Sequence, residues 1–318
     1  MPMLLKEQGY RTFGEVSGPL FVDTGLSKGF DVYDYRDREH LVTGDLMLDK
    51  RDRIVRLLTD GDGPAFVMLH VWDLHTPRYK HIKNKALNHA LNERFKELTY
   101  YDDYLETLRF VDEYLMGLLE AVPEDTVVAL TGDHGEMYQT HIFESLATFI
   151  VKVVTGNKKF RSSHGWDVNL QLLEVPFWLR WPGGPTPGVT VDRVVRNIDI
   201  FPTLLDAAGM EGEHPVQGES VLPLVDGVEG SNRIAYSEAG AGGLGSNEML
   251  AFSVMDNHFQ VRYYPVRETK YEFWKVEGER RLKAEGELFS LYKGILDDHM
   301  MSSIRADVRD LRERADNL

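Results

Sequence analysis

Residues 65–79 read AFVMLHVWDLHTPRY. The first eight are almost continuously apolar, the pattern of a strand buried on both faces of a sheet. The next seven turn polar at once. Polar and turn-forming residues directly after a buried strand lie at the carboxyl edge of an open α/β sheet, where such folds place their ligands. The same grammar returns in TVVALTGDHGE, residues 126–136, and in VPFWLRW, residues 175–181, which runs into the loop PGGPTPG.

Outward from these strands the chain alternates. Residues 3–9 have the texture of an amphipathic helix end stopped by Gly9, and YRTFGEVS (10–17) that of a short strand. Residues 46–59 predict a helix with Leu46, Ile54, Val55 and Leu58 on one face. Residues 93–121 predict a long helix with Leu105, Leu108, Val111, Leu115 and Leu118 along its buried stripe. Another helix starts in DIFPTLLDAA (199–208) and ends at Gly209. Strands and helices in alternation imply an α/β fold with a mainly parallel central sheet flanked by helices. From about residue 232 the texture changes. RIAYSEA, MLAFSVM and HFQVRYYPV alternate with turns, which predicts a small antiparallel sheet. Residues 303–318 read as a charged terminal helix. The division expected is an α/β domain over 1–230 and a small C-terminal α+β subdomain over 231–318.

Composition narrows the chemistry. Of the 318 residues 42% are hydrophobic, enough for a sizeable core. A formal charge of −15 disfavours nucleic acid and anionic membranes as partners. It suits a halophile's surface or a soluble acidic enzyme. The chain has no cysteine, which excludes disulfides, thiolate zinc sites and cysteine nucleophiles from these residues. No apolar run reaches the ~18 residues of a membrane span. MPMLLKEQGYRT lacks the apolar stretch of a signal peptide, so the expectation leans to the cytoplasm over a disulfide-stapled secreted fold.

Three constellations carry candidate chemistry. Asp133 and His134 lie in TGDHGE, a carboxylate and an imidazole on a glycine-flanked turn after a strand. That donor set suits a divalent metal, although a turn with a solvated Asp reads the same locally. His75 sits between Leu74 and Thr76-Pro77 on the loop after the first strand. It could give a proton to a leaving group or hold an anionic oxygen, or be an ordinary loop histidine. His70 reads as a core histidine and Asp73 as a residue that orients the loop. His164-Gly165 precedes a helix pattern, where an anion could meet a helix N-terminus. Lys158, Lys159 and Arg161 add positive charge nearby. The other histidines show no ligand spacing, and Asn197–Asp199 reads as a cap and turn.

Together the segments resemble the sulfatase branch of the alkaline phosphatase superfamily over roughly residues 3–230. LLKEQGYRT (4–12) is similar to the family's helix end and GY-R-T strand, GLSKGFDVYD (25–34) to its GFD-x-Y stretch, and WDLHTPRY (72–79) to its D-P-H-x-P-Y loop. TGDHGE (131–136) is similar to the D-H-G-E motif, and residues 164–183 to HG…VP…R-x-PG. NIDIFPTLLDAAG (197–209) and VQGESVLPLVDG (216–227) complete the series. Seven motifs in one order are specific where each alone is not.

The resemblance implies a metal-dependent hydrolase of sulfate esters. Asp133 and His134 would ligate one divalent ion, with calcium the leading candidate and manganese or zinc the alternatives. His75 and His164 would be catalytic and substrate-binding residues, His75 near the leaving group and His164 on the sulfate. The substrate would be a small anionic ester. In relatives a first acidic pair and a C/S-x-P-x-R nucleophile motif, oxidised to formylglycine, precede LLKEQGYRT. This chain has no cysteine and no S-x-P-x-R. It is therefore expected to be an N-terminally truncated relative, inactive or nearly so alone. The apolar stretch ESLATFIVKVVTG suggests an inserted helix between GDHGE and His164. Two further readings stand beside this one. A phosphoesterase or phosphonate-ester hydrolase of the same superfamily is favoured by imidazole's preference for transition metals. A non-catalytic binding relative would form a homo-oligomer or hetero-oligomer that covers an exposed sheet edge.

Overall fold

The computed structural model describes residues 1–17, 20, 25–36, 48–75, 100–136, 165, 167–210, 216–228, 233–240, 250–265 and 270–316. These form two compact units, Met1–Thr126 and Val127–Leu318, each treated by itself.

The first unit is built on β1 (Arg11–Ser17), β2 (Val32–Arg36) and β3 (Ala65–Leu69), a parallel sheet in the order β2-β1-β3. Register pairs Phe13 with Val32 and with Val67. The central strand is β1, where Thr12, Phe13, Glu15 and Val16 are all buried. The apolar β3, expected to be buried on both faces, is only half-buried. It is an edge of the described sheet, so its neighbours cover one side of its ladder and not the other. A buried glutamate in a central strand needs a cation. Arg53 of helix α2 (Leu48–Thr59) supplies it, with Nε 2.8 Å from Glu15 Oε1. The same guanidinium reaches Asp34, Glu15's neighbour on β2, at 3.2 Å.

Helix α3 (Tyr100–Ala121) covers the described part of the long helix expected over 93–121. Its buried stripe runs through Thr107, Val111, Tyr114 and Leu118, while Leu108 is exposed. Of the expected stripe, Val111 and Leu118 are buried and Leu105 and Leu115 half-buried, while Tyr114 rather than Leu108 takes an inward position. Short helix α1 (Pro2–Glu7) leads into β1.

In the second unit, β4 (Val128–Thr131) and β5 (Phe177–Arg180) form an antiparallel pair. The reading of TVVALT as another buried strand is corrected here. Among the described residues β4 pairs only with β5, and Leu130 and Trp178, opposite each other in the ladder, are exposed. Then come α4 (Leu170–Leu173), α5 (Ile200–Ala207) and α6 (Leu222–Val225).

The C-terminal strands match the expected texture and extend it. β6 (Ala235–Ala239), β7 (Ala251–Met255), β8 (Phe259–Tyr264), β9 (Lys270–Lys275) and β10 (Arg280–Leu282) form an antiparallel meander in the order β10-β9-β8-β7-β6. Helix α7 (Glu287–Asp316) begins 16 residues before the expected 303, because Gly294 and Asp297-Asp298 dilute the apolar period at its start. Tyr292 and Leu296, one turn apart, are buried against Val254, Val261 and Phe273. The fold is thus α/β, with a parallel sheet, a small antiparallel sheet and a terminal helix. Among the described residues no helix is long and apolar enough to cross a membrane.

Candidate active site

The TGDHGE turn follows β4 directly. Its shape depends on glycine at 135. A Cβ there would lie 1.9 Å from the carbonyl oxygen of Gln171, a backbone atom that cannot step aside. The Gly135 N–H donates to the Leu172 carbonyl at 2.8 Å, and Gly132 N–H to Pro176 at 3.4 Å. The turn is therefore seated against α4 and the start of β5, and Asp133 and His134 are presented between two fixed points.

The pair is itself organised. Asp133 Oδ1 accepts the His134 backbone N–H at 2.9 Å. His134 Nδ1 lies 2.8 Å from the Gly135 carbonyl, which can only accept, so Nδ1 carries the proton. That leaves Nε2 as the basic nitrogen, 3.5 Å from Asp133 Oδ2. A histidine whose Nδ1–H is held by a backbone carbonyl, with Nε2 beside a carboxylate oxygen, has the arrangement of a metal ligand. His134 is about one-third exposed and Asp133 two-thirds. Among the described residues no third His, Asp or Glu converges on them.

The two residues open onto a cleft of about 1820 Å³, also lined by Asp167, Leu172, Arg180 and Trp181. That exceeds the ~300–1,000 Å³ of a small-ligand pocket, so the Asp133–His134 end is one part of it.

The remaining candidates divide. His75 closes a one-turn 3-10 helix, Asp73–His75, that follows the end of β3 after three residues, which places its backbone beyond the carboxyl end of that strand in the first unit. His70 and Trp72 lie on the same stretch with ring centroids 6.0 Å apart. His164, the cationic cluster at 158–161 and the suggested inserted helix lie outside the described residues. The helix after His164 is corrected. It is a single turn, α4, and Asn169 already caps it, its Oδ1 accepting the Leu172 N–H at 3.2 Å.

Asn197–Asp199 is more than a cap. Asp199 is fully buried and accepts from Arg196 (2.8 Å), Arg233 (3.0 Å) and the Glu219 N–H (3.0 Å). Burial pushes its pKa up, but the Arg196 and backbone hydrogen bonds outweigh burial and hold the carboxyl below its ordinary range. Gly218 makes room for this centre, since a Cβ there would meet the Ile198 carbonyl at 2.0 Å.

The sequence reading missed a polar network behind the site. Gln260 on β8 donates to the Val168 carbonyl at 2.8 Å, and Tyr264 OH donates to Asp167 Oδ1 at 2.8 Å. These bonds tie the segment after His164-Gly165, and so α4 beneath Gly135, to the C-terminal sheet. The signal was present in FQVRYY, where amide, guanidinium and phenol fall at period two.

Against known proteins, the family described as Sulfatase matches residues 1–210, and the chain belongs to the sulfatase family. Residues 168–276 match the description N-sulphoglucosamine sulphohydrolase, C-terminal. The chain is 28% identical over 154 residues to the N-acetylglucosamine-6-O-sulfatase of Bacteroides thetaiotaomicron, covering 46% of this chain and 23% of that protein. It is 29% identical over 174 residues to the steryl-sulfatase of Rattus norvegicus, covering 52% and 27%. It thus spans about a quarter of the length of these relatives. Its fold is similar to that of a protein solved in complex with its substrate D-glucosamine-2-N,6-O-disulfate (TM-score 0.57, 16% identity, 87% of this chain and 75% of that one). It is also similar to the phosphonate monoester hydrolase of Silicibacter pomeroyi (TM-score 0.53, 16% identity, 97% and 79%).

Proposed function

We propose that this chain forms the metal-holding part of a hydrolase of sulfate esters borne on carbohydrate. The observation that carries the reading is the Asp133–His134 pair, with Nε2 and Oδ2 3.5 Å apart on a turn locked by Gly135. A carboxylate oxygen and an imidazole nitrogen so placed fit a divalent cation, and these two residues would hold it. Calcium leads, with manganese or zinc the alternatives. When bound, such an ion polarises the sulfuryl oxygens and lowers the pKa of a nucleophile. The protein's part is to fix the ligands: the Gly135 carbonyl sets the imidazole tautomer, and the contact with Gln171 sets the turn. His75 would act at the leaving group and His164 at the sulfate. These residues contain no cysteine and no S-x-P-x-R, so they do not carry the nucleophile motif that the resemblance implies. The 318-residue chain alone would turn over little or nothing. Relatives named for sulfated glucosamines support the substrate class.

The test is metal binding. Titration with Mn²⁺, followed by electron paramagnetic resonance, should show one ion per chain. Asp133→Asn and His134→Gln should each weaken it by at least about tenfold. Equal affinity in the parent and both variants would overturn the assignment. The phosphonate-ester reading keeps one observation, the imidazole ligand, which suits transition metals. Stabilisation of the Mn²⁺-loaded chain by an aryl sulfate and not by a phosphonate monoester favours the sulfate reading; the converse favours the other.

A further inference from the structure

One segment, residues 167–176, holds the turn that carries Asp133 and His134 at two points. Gly132 N–H donates to the Pro176 carbonyl, and Gly135 N–H donates to the Leu172 carbonyl of α4. The two holds differ in kind. Thr131 pairs with Phe177 in the β4–β5 ladder, so the Gly132 end is fixed by the strand pair from which the turn emerges. The Gly135 end rests on α4, a helix of four residues. A single turn does not sustain itself in water, where even ~12–15 residues are marginal. The Leu172 carbonyl is therefore only as well placed as the groups that hold α4.

Those groups lie in the C-terminal sheet. Val168 is fully buried and clusters with Ala251 and the ring of Tyr264. Asp167 is locked as well: its Oδ1 accepts the Val168 N–H at 2.7 Å and the Tyr264 hydroxyl at 2.8 Å. A hydroxyl that donates to a carboxylate makes a charge-assisted bond, stronger than one between neutral groups. Tyr264 thus grips the segment twice, by its ring at Val168 and by its hydroxyl at Asp167. The ring alone fills the core. What the hydroxyl adds is a fixed position for the residues that lead into α4. Asp167 lines the same cleft as Asp133 and His134, so this clamp stands in the wall of the site.

We propose that Tyr264 is a positioning residue for the Asp133–His134 turn, acting through Asp167 and α4 on the hydrogen bond that seats Gly135. That the turn so held grips a divalent ion rests on the function proposed above.

The experiment compares the 318-residue protein with Tyr264→Phe and Asp167→Asn. Tyr271→Phe is the matched control, since it removes a hydroxyl–carboxylate bond to Asp297 from the same sheet at a place that does not touch segment 167–176. Two readouts are taken. Mn²⁺ affinity is followed by electron paramagnetic resonance, and hydrogen exchange of the Gly135 amide is measured relative to that of Gly132. Tyr264→Phe should weaken Mn²⁺ binding at least about threefold, a fraction of the roughly 10–100-fold lost when a ligand's direct partner is removed. It should speed Gly135 exchange at least about threefold while Gly132 keeps the parent rate. Asp167→Asn, which keeps an acceptor, should fall between parent and Tyr264→Phe, and it stands in if that variant does not fold. Tyr271→Phe should match the parent in both. Parent-like Gly135 exchange in Tyr264→Phe and Asp167→Asn would overturn the proposal, as would equal effects in Tyr264→Phe and Tyr271→Phe. If the parent binds no Mn²⁺, the metal reading fails and Gly135 exchange alone decides whether Tyr264 positions the turn, so the two failures are distinguishable.

Discussion

The two faces of the five-stranded sheet are equally buried and chemically opposite. One presents Val254, Val261 and Phe273 to Tyr292 and Leu296 of α7, and none of these exceeds 6% exposure. The other presents Ser253, Gln260, Arg262 and Tyr264, none above 9%. A single strand, FQVRYY, serves both by alternation. The apolar face stabilises by the area it removes from water. The polar face gains little net stability from each hydrogen bond, since folding exchanges water partners for protein partners. What it gains is fixed position, because a fully satisfied network permits one arrangement. Burial alone therefore does not distinguish the core from the support of a site.

The largest effect should come from the apolar face. Phe273→Ala removes a ring stacked on Phe259 at 5.4 Å and packed near Phe289 and Tyr292. A loss of about 3–5 kcal/mol is expected from chemical denaturation. A loss below about 1 kcal/mol would mean that α7 does not depend on this face. On the polar face, Gln260→Leu keeps the size but strands the Val168 carbonyl and Arg262 Nε. About 1–3 kcal/mol should follow. If the variant is as stable as the parent, the network is not a constraint and the contrast between the faces collapses.

pH probes both faces together. Burial first, then a neighbouring carboxylate, raises the phenol pKa of Tyr264 (Asp167), Tyr271 (Asp297) and Tyr292 (Asp256) above the ordinary 10.0. In the unfolded chain these phenols ionise near pH 10, while in the folded chain they keep their protons. Above about pH 10 the unfolded state binds fewer protons, so stability falls as pH rises. Below that pH their contribution is complete. Asp199 works in the opposite sense: its carboxyl is depressed, so its contribution is present above 3.8 and lost as pH falls below it. Unfolding free energies measured from pH 8 to 11 should decline only past 10, and Tyr264→Phe should flatten part of that decline. A slope unchanged in that variant would remove Tyr264 from the account.

These differences show what the sequence could reveal. Strand and helix alternation, the glycine-flanked Asp133–His134 turn and the C-terminal β texture were legible, because each rests on a short period or a local motif. The edge position of β3, the antiparallel partner of β4 and the inward place of Tyr114 were not. Each depends on which distant segment lies alongside, and a run such as TVVALT is apolar whichever strand it pairs with. Arg262 was hidden for a related reason. An arginine at alternate position in a strand reads as solvent-facing, and only the ladder that sets Gln260 and Trp274 beside it reveals its burial.

The smallest stability change should come from Asp133→Asn. Asp133 is two-thirds exposed, and its contacts are to its own neighbour His134. Without metal the substitution should shift stability by no more than about 0.5 kcal/mol, as at other exposed sites. With metal the expectation reverses. An ion that binds only the folded state stabilises it by RT ln(1 + [L]/Kd), which is about 2.7 kcal/mol at a hundredfold excess over Kd. The parent chain should gain that increment in Mn²⁺ and the variant should not. Gln260→Leu should show a different pattern, less stable with or without the ion and still responsive to it. A residue that serves chemistry is then recognised by a stability effect that depends on its ligand, and one that serves the scaffold by an effect that does not. If Asp133→Asn were as costly in the absence of metal as in its presence, Asp133 would belong with the scaffold, and the turn it occupies would be a structural feature alone.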